Sequence, residues 1–234
     1  MKIKKIIFLV LLAAIILTLP DPKEIHVLAT KTAMPVTLVI DAGHGGPDGG
    51  AVGNDGTLEA DLNLAIAKLV AAEATRRGVH VILTRETQDG LYSLDNTARI
   101  WRKLEDMKRR KDIIEEVTPH AALSIHMNCF PQDPSVGGAQ VFFPKSGNAE
   151  VLKESENIAK SVQGQLNENA KNGRNRVHMA KGNVYLLENP NVPIILVECG
   201  FLSNEVDLSK LKQTKYQKQI AACILNGVLE QLEI

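Results

Sequence analysis

From residue 36 to the C-terminus, short β-rich runs alternate with long amphipathic stretches, and this alternation limits the possible folds more than any other feature of the chain. Residues 36–41, 79–84, 121–126, 140–143 and 194–198 are apolar runs of strand length, bounded by Gly, Pro, Asn or Asp. A further short strand is expected at 183–187. Between them, 57–77, 94–116, 148–171 and 215–232 carry apolar residues at helical spacing. In the first of these Leu58, Leu62, Ala65, Leu69 and Ala72 share a face, Thr57 is placed to cap the start, and Gly78 to end it. Pro119 marks the end of the second. The almost unbroken apolar run 194–198 suits a strand buried on both faces at the centre of a sheet. The expectation is a single-domain three-layer α/β fold, with a mostly parallel or mixed central sheet and helices on both faces.

The N-terminus follows a different pattern. Lys2, Lys4 and Lys5 precede an apolar run at 6–18 that Pro20 closes, a basic segment and hydrophobic segment of signal-peptide length. Residues 1–29 are therefore expected to be a signal peptide or an N-terminal membrane anchor, 30–35 a linker and 36–234 the folded body. That body would work outside the cytoplasmic membrane and touch a membrane only through the N-terminal segment. Its 27 basic and 27 acidic residues balance, which argues against holding nucleic acid or anionic lipid by a global field. Trp101 is the sole tryptophan, so no stacking platform for single strands is expected. Cys129, Cys199 and Cys223 form no CxxC pair and suit neither a disulfide framework nor a cysteine-rich zinc knuckle. Cys223 reads as a small apolar residue inside the last helix.

In layered α/β sheets chemistry gathers beyond the carboxyl ends of strands. The first strand ends Asp41-Ala42-Gly43-His44, the third Ser124-Ile125-His126-Met127-Asn128, and the late central one Val197-Glu198. Glu59 opens the first helix and aligns with Leu62, Ile66 and Val70, so it points toward the packed side. A carboxylate there needs compensation. The helix dipole offers one answer and a metal another. Two imidazoles and a carboxylate are a common ligand set for catalytic zinc. The spacings are long and irregular, however, and a strand-end histidine is also a common structural residue. The residues alone leave both readings open. The glycine loop 44–50 matches neither GxxxxGK[ST] nor GxGxxG, which ranks phosphate binding below a metal site.

Taken in order, the string Asp41-Ala42-Gly43-His44-Gly45-Gly46-Pro47-Asp48-Gly49-Gly50-Ala51-Val52-Gly53, then Leu58-Glu59, Thr84-Arg85, Ser124-Ile125-His126-Met127-Asn128 and Val197-Glu198-Cys199-Gly200-Phe201-Leu202-Ser203-Asn204 resembles the signature of the type 3 zinc N-acetylmuramoyl-L-alanine amidases. The likeness runs from about residue 36 to the C-terminus. It implies hydrolysis of the amide between the lactyl group of N-acetylmuramic acid and the L-alanine of a peptidoglycan stem peptide. It also implies one Zn2+ per chain, held by His44, Glu59 and His126 in a catalytic domain at 36–234, with Glu198 as the catalytic carboxylate.

The wording of the glycine loop, the charged helix around 102–110 and the short N-terminus without wall-binding repeats are most similar to the germination-specific spore-cortex branch. That branch implies cortex peptidoglycan as substrate, a role in muramic-δ-lactam formation and germination, and, in some members, an accessory lipoprotein. The site of action would be the extracytoplasmic face of the membrane, between forespore and mother cell in a spore former.

Met127 stands where the family has a small residue, Cys129 where alanine is common, and Cys199 where leucine or valine is usual. Met127 and Cys129 are expected to alter the cleft, whereas Cys129 and Cys199 read as small packing residues and not as nucleophiles. Asp41 and Asn128 are candidates to orient a ligand histidine or a substrate amide, and Arg85 and Arg99 to meet a peptide carboxylate. Turn caps, strand-end hydrogen bonds and surface ion pairs are the competing roles for these four. The rival functions are another zinc hydrolase of the wall, a peptidase or deacetylase, and a non-catalytic wall-binding homologue. Loss of a ligand would mark the latter, and all four positions are filled.

Overall fold

Residues 35–93, 95, 98–170 and 174–233 are described by a computed structural model. The signal-peptide or anchor assignment of residues 1–29, the linker apart from Pro35, and the side chain of Arg99 lie outside the described residues. Val36–Ile234 forms one compact unit. No helix among the described residues is long and apolar enough to cross a membrane.

Strands β1 (Thr37–Ala42), β2 (His80–Leu83), β3 (Ala121–Asn128), β4 (Gln140–Pro144), β5 (Met179–Lys181) and β6 (Ile194–Phe201) form one sheet in the order β2-β1-β3-β6-β4-β5. The first four in that order run parallel; β4 is antiparallel to β6, and β5 is parallel to β4. Among the described residues five α-helices accompany them: α1 (Glu59–Arg76), α2 (Arg99–Val117), α3 (Ala149–Asn169), α4 (Glu205–Leu211) and α5 (Thr214–Gln231). The expected mixed α/β sheet with helices on both faces is what forms.

The two faces are unequal. Leu38, Ile40, Leu123, Ile125, Ile195 and Val197 pack beneath α1, α3 and α5 in the larger core. Each such fully buried side chain contributes about 1.5–3 kcal/mol. The alternate residues Val39, Ala122, Ile194 and Leu196 face Ile114 of α2 and Leu187 in a smaller cluster. Because side chains alternate across a strand, the next residues on that second face are Asp41, Ser124, His126 and Glu198. This face is thus apolar at the amino ends of its strands and polar at their carboxyl ends.

Several local expectations change. Helix α1 starts at Glu59 without a side-chain cap; its first donors go to loop carbonyls, Glu59 N to Ala51 O and Ala60 N to Gly49 O. Thr57 instead donates its own N–H to Asp55 Oδ1. Helix α2 begins at Arg99, and the N–H of Asp95 donates to Ser93 Oγ, a local turn that precedes the helix. The stretch expected as a strand at 183–187 is a 3-10 turn, Tyr185–Leu187, because Asn183 sits at φ +60° and breaks extended backbone. Strand β5 and helix α4 lack a long periodic signature, although Asn204, which accepts from Asp207 N, caps α4 in the ordinary way. Gly78 ends α1 at φ +82° as expected.

Candidate metal centre

Four segments converge at the polar end of the sheet. The chain leaves β1 through Gly43 and turns at His44, which adopts φ +60°. Glu59 enters from the first turn of α1, and His126 and Glu198 arrive on β3 and β6. Side-chain donor atoms of His44, Glu59 and His126 all lie within 4.8 Å of one another. Glu59 Oε1 is 3.2 Å from His44 Nε2 and 2.9 Å from His126 Nδ1. The two imidazole rings stand edge to face, 5.0 Å between centroids.

Glu59 is almost fully buried, and its oxygens are held from several sides. Oε2 accepts from Ala51 N at 2.8 Å, and Oε1 from Met127 N at 3.1 Å. The latter bond forms where the β3–β6 register breaks after His126. Asn63, one turn along α1, donates to Glu59 Oε1 and to Gly43 O. Burial opposes ionisation of Glu59, but the hydrogen bonds to His126 and His44 outweigh it and hold the carboxyl well below its usual range. Burial likewise works against a charged His44, yet its bonds to Asp48 and Glu59 raise the imidazole to about 9. A divalent cation at this cluster would offset the buried Glu59 charge, and the donor set is one that zinc accepts.

Backbone must come close to make this cluster. A Cβ at Gly43 would overlap the His126 ring, and one at Gly50 would collide with Glu59 Oε2 and His44. Gly50 also adopts φ +70°, which only glycine takes easily.

Glu198 stands in parallel register with His126, so the two side chains leave neighbouring strands on the same face. It is 7% exposed, and its Oε2 is buried without a hydrogen-bond partner. Its Oε1 lies 3.6 Å from Lys181 Nζ. Burial raises the Glu198 carboxyl above its ordinary value, partly offset by His126 and Lys181. An orphaned buried carboxylate oxygen beside a cluster of metal-ligand type has room and chemistry for a proton.

Beneath the His44 turn lies an ionic network that the sequence did not reveal. Arg110, buried on α2, donates to Asp41 Oδ1, Ala42 O and His44 O, each at 2.6 Å, and to Asp106. Asp41 also accepts from Thr84 Oγ1 and Ser124 Oγ. Burial opposes its charge, but Arg110, Ser124, His126 and Thr84 together outweigh it and hold the Asp41 carboxyl below its ordinary value. Asp41 therefore makes no hydrogen bond to either imidazole of the cluster; it is linked to His44 through Arg110 and the His44 carbonyl.

Arg85 is buried too, and its guanidinium donates to the carbonyls of Ala42, Gly43, Ala60 and Thr87. Its place is inside the loop framework, not facing a peptide carboxylate. Asn128 accepts from Cys129 N, a strand-end bond. Met127 points into the core on the opposite face, 3% exposed, and so does not shape the cleft. Cys199 and Cys223 are buried and Cys129 is half-buried, all as free thiols. Beside the loop, a groove of about 340 Å3 runs between Gly45, Pro47, Asp48, Tyr92, Arg102 and Lys103.

The germination-specific N-acetylmuramoyl-L-alanine amidase of Bacillus subtilis is 34% identical over 192 residues, 82% of this chain and 78% of the relative. Among solved structures, the CwlD amidase from Clostridioides difficile, determined in complex with the GerS lipoprotein, superposes with a TM-score of 0.79 at 36% identity, covering 85% of this chain and 98% of that one. The amidase AmiC2 of Nostoc punctiforme gives 0.70 at 34% identity, covering 85% and 98%. The N-acetylmuramoyl-L-alanine amidase family model matches residues 38–230, and the chain belongs to that family.

Proposed function

We propose that this chain is a zinc-dependent, exported amidase that releases stem peptides from peptidoglycan, with spore cortex as its preferred polymer. One observation carries the site assignment: His44, Glu59 and His126 converge within ligand distance while Glu198 stands in register beside His126. In this reading the first three hold zinc and Glu198 is the catalytic carboxylate.

Held by His44, Glu59 and His126, zinc would supply Lewis acidity toward water, lowering its pKa to about 7, and toward the lactyl carbonyl. Glu198 takes the proton of the attacking water on its unpartnered Oε2. It then delivers that proton to the L-alanine nitrogen as the C–N bond breaks, leaving a lactyl carboxylate and a peptide with a free amine. Burial suits Glu198 to this exchange, since a raised carboxyl is a stronger base toward the water proton than an ordinary carboxylate and still holds that proton for the leaving nitrogen. Arg110 and Arg85 fix the backbone from which His44 projects.

Similarity to the germination-specific amidase supports cortex maturation, in which peptide removal prepares muramic acid for conversion to the δ-lactam. The lipoprotein complex of the C. difficile relative supports an accessory lipoprotein here as well. The basic and apolar N-terminus supports export, with residues 36–234 as the catalytic domain.

The test is mass spectrometry of products from cortex and vegetative peptidoglycan, with zinc-loaded and chelator-treated protein. The expected products are peptides with a free L-alanine amino terminus, formed only with zinc and faster from cortex. Cleavage within the stem peptide or loss of acetate would instead identify a wall peptidase or deacetylase. No product from either polymer, even with a lipoprotein partner added, would leave a wall-binding role.

A further inference from the structure

The two histidines of the cluster are held in different ways. His126 is carried by a regular strand, whereas His44 sits on a left-handed turn of a glycine-rich loop and depends on that loop for its orientation. Its Nδ1 is 3.1 Å from Asp48 Oδ2. Its Nε2 faces Glu59.

Asp48 is itself fixed. Its backbone exchanges hydrogen bonds with Gly45, Gly45 N to Asp48 O at 2.9 Å and Asp48 N to Gly45 O at 3.2 Å. Its Oδ1 accepts from Gly50 N at 3.2 Å, and the next N–H in the chain, that of Ala51, goes to Glu59 Oε2. One short loop therefore binds the carboxylates of Asp48 and Glu59 with successive backbone donors. Lys103 of α2 lies 3.2 Å from Asp48 Oδ2, on the solvent side.

We propose that Asp48 is the positioning residue for His44: its Oδ2 accepts the Nδ1–H, which fixes ring orientation and tautomer and leaves Nε2 unprotonated toward the metal. The inference rests on the zinc reading above. A carboxylate behind a ligand imidazole selects the tautomer and raises ligand basicity, and its loss weakens metal binding by about 10- to 100-fold. Here the carboxylate has a second task, since its other oxygen holds the loop segment that supports Glu59.

Asp48→Asn separates the two tasks. The amide oxygen can still accept from Gly50 N, so the loop keeps its bond. The amide NH2 then meets His44 Nδ1 and favours the opposite tautomer, with the proton on Nε2 where the metal must bind.

The experiment measures the zinc dissociation constant by competition with a chromophoric chelator for the wild-type protein, Asp48→Asn, Asp48→Ala and Lys103→Met. Both Asp48 variants are expected to bind zinc about 10- to 100-fold more weakly, with turnover of Asp48→Asn restored as zinc is raised to saturation. Lys103→Met, which removes only the outer ion pair, is expected to bind as tightly as wild type or more so.

Circular dichroism and thermal unfolding of the metal-free proteins monitor folding. If Asp48→Ala loses the fold, Asp48→Asn decides the matter alone. Zinc binding by Asp48→Asn within threefold of wild type overturns the proposal. A wild-type protein that takes up no zinc overturns the zinc reading and this inference with it.

Discussion

The two halves of the candidate site are built on opposite principles. His126 and Glu198 ride on β3 and β6, where a parallel ladder and continuous apolar packing fix their places. His44 projects from a left-handed turn whose carbonyl is held by Arg110, and Glu59, at the start of α1, is held by the loop amide of Ala51 together with Met127 N of β3. The strand half needs no special chemistry to exist, because hydrophobic burial and the ladder would form it with many side chains. The loop half exists only while a particular set of buried charges and donors is complete. The difference teaches that residues equally close to the proposed metal can be supported at very different cost to stability.

The sharpest way to separate the halves is to remove function from each. Glu198→Gln is expected to lower turnover by about 10²- to 10⁴-fold, the usual contribution of a positioned acid–base group. Zinc affinity should stay near wild type, and thermal stability should be unchanged or slightly higher, since a buried unpartnered carboxylate oxygen becomes part of a neutral amide. Near-normal turnover of this variant would remove Glu198 from the mechanism.

Arg110→Met should act in the other manner. It leaves Asp41 buried without its cation and frees the His44 carbonyl, so stability is expected to fall by about 3–5 kcal/mol. Urea unfolding reads this directly, and zinc binding should weaken in parallel. A variant that unfolds like wild type would abolish the distinction between the two halves.

The same variant carries a pH signature. Because the folded-state pKa of Asp41 is depressed, its charge contributes stability that is complete above the ordinary value of 3.8 and drains away as pH falls toward the folded value. The gap between wild type and Arg110→Met should therefore be widest at neutral pH and narrow below 3.8.

The smallest effect is expected at the rim of the loop. Asp55 and Lys212 form an ion pair there, but both are open to solvent. Lys212→Met should leave the thermal midpoint unmoved within error, which would confirm that the loop is held from beneath by buried donors.

The contrast also explains what the sequence could and could not disclose. His126 and Glu198 were legible because each ends an apolar run of strand length, and alternation places both on one face. Glu59 was legible from its helical alignment with Leu62 and Ile66. Arg110 was not, for it lies within a densely charged helix where nothing local separates it from solvated neighbours, and its partner Asp41 is 69 residues away. Arg85 stays open between a peptide carboxylate and a structural role for the same reason: a guanidinium aimed at backbone carbonyls leaves no periodic trace. Met127 was misjudged by motif position, although strand alternation places it opposite His126. Strand β5, three residues long, is too short for any periodic pattern to announce.

The register of β3 against β6 has a consequence for how this protein can change over generations. Strands in a sheet lie about 4.8 Å apart whatever side chains they carry, so the separation between His126 and Glu198 is inherited from backbone geometry, not from a particular core. Aliphatic residues behind them can be exchanged widely without moving either group. A single inserted or deleted residue in β6 ahead of Glu198, by contrast, would turn that carboxylate into the greasy side of the sheet. Lineages of this chain are thus free to drift in composition along these strands but bound in their length.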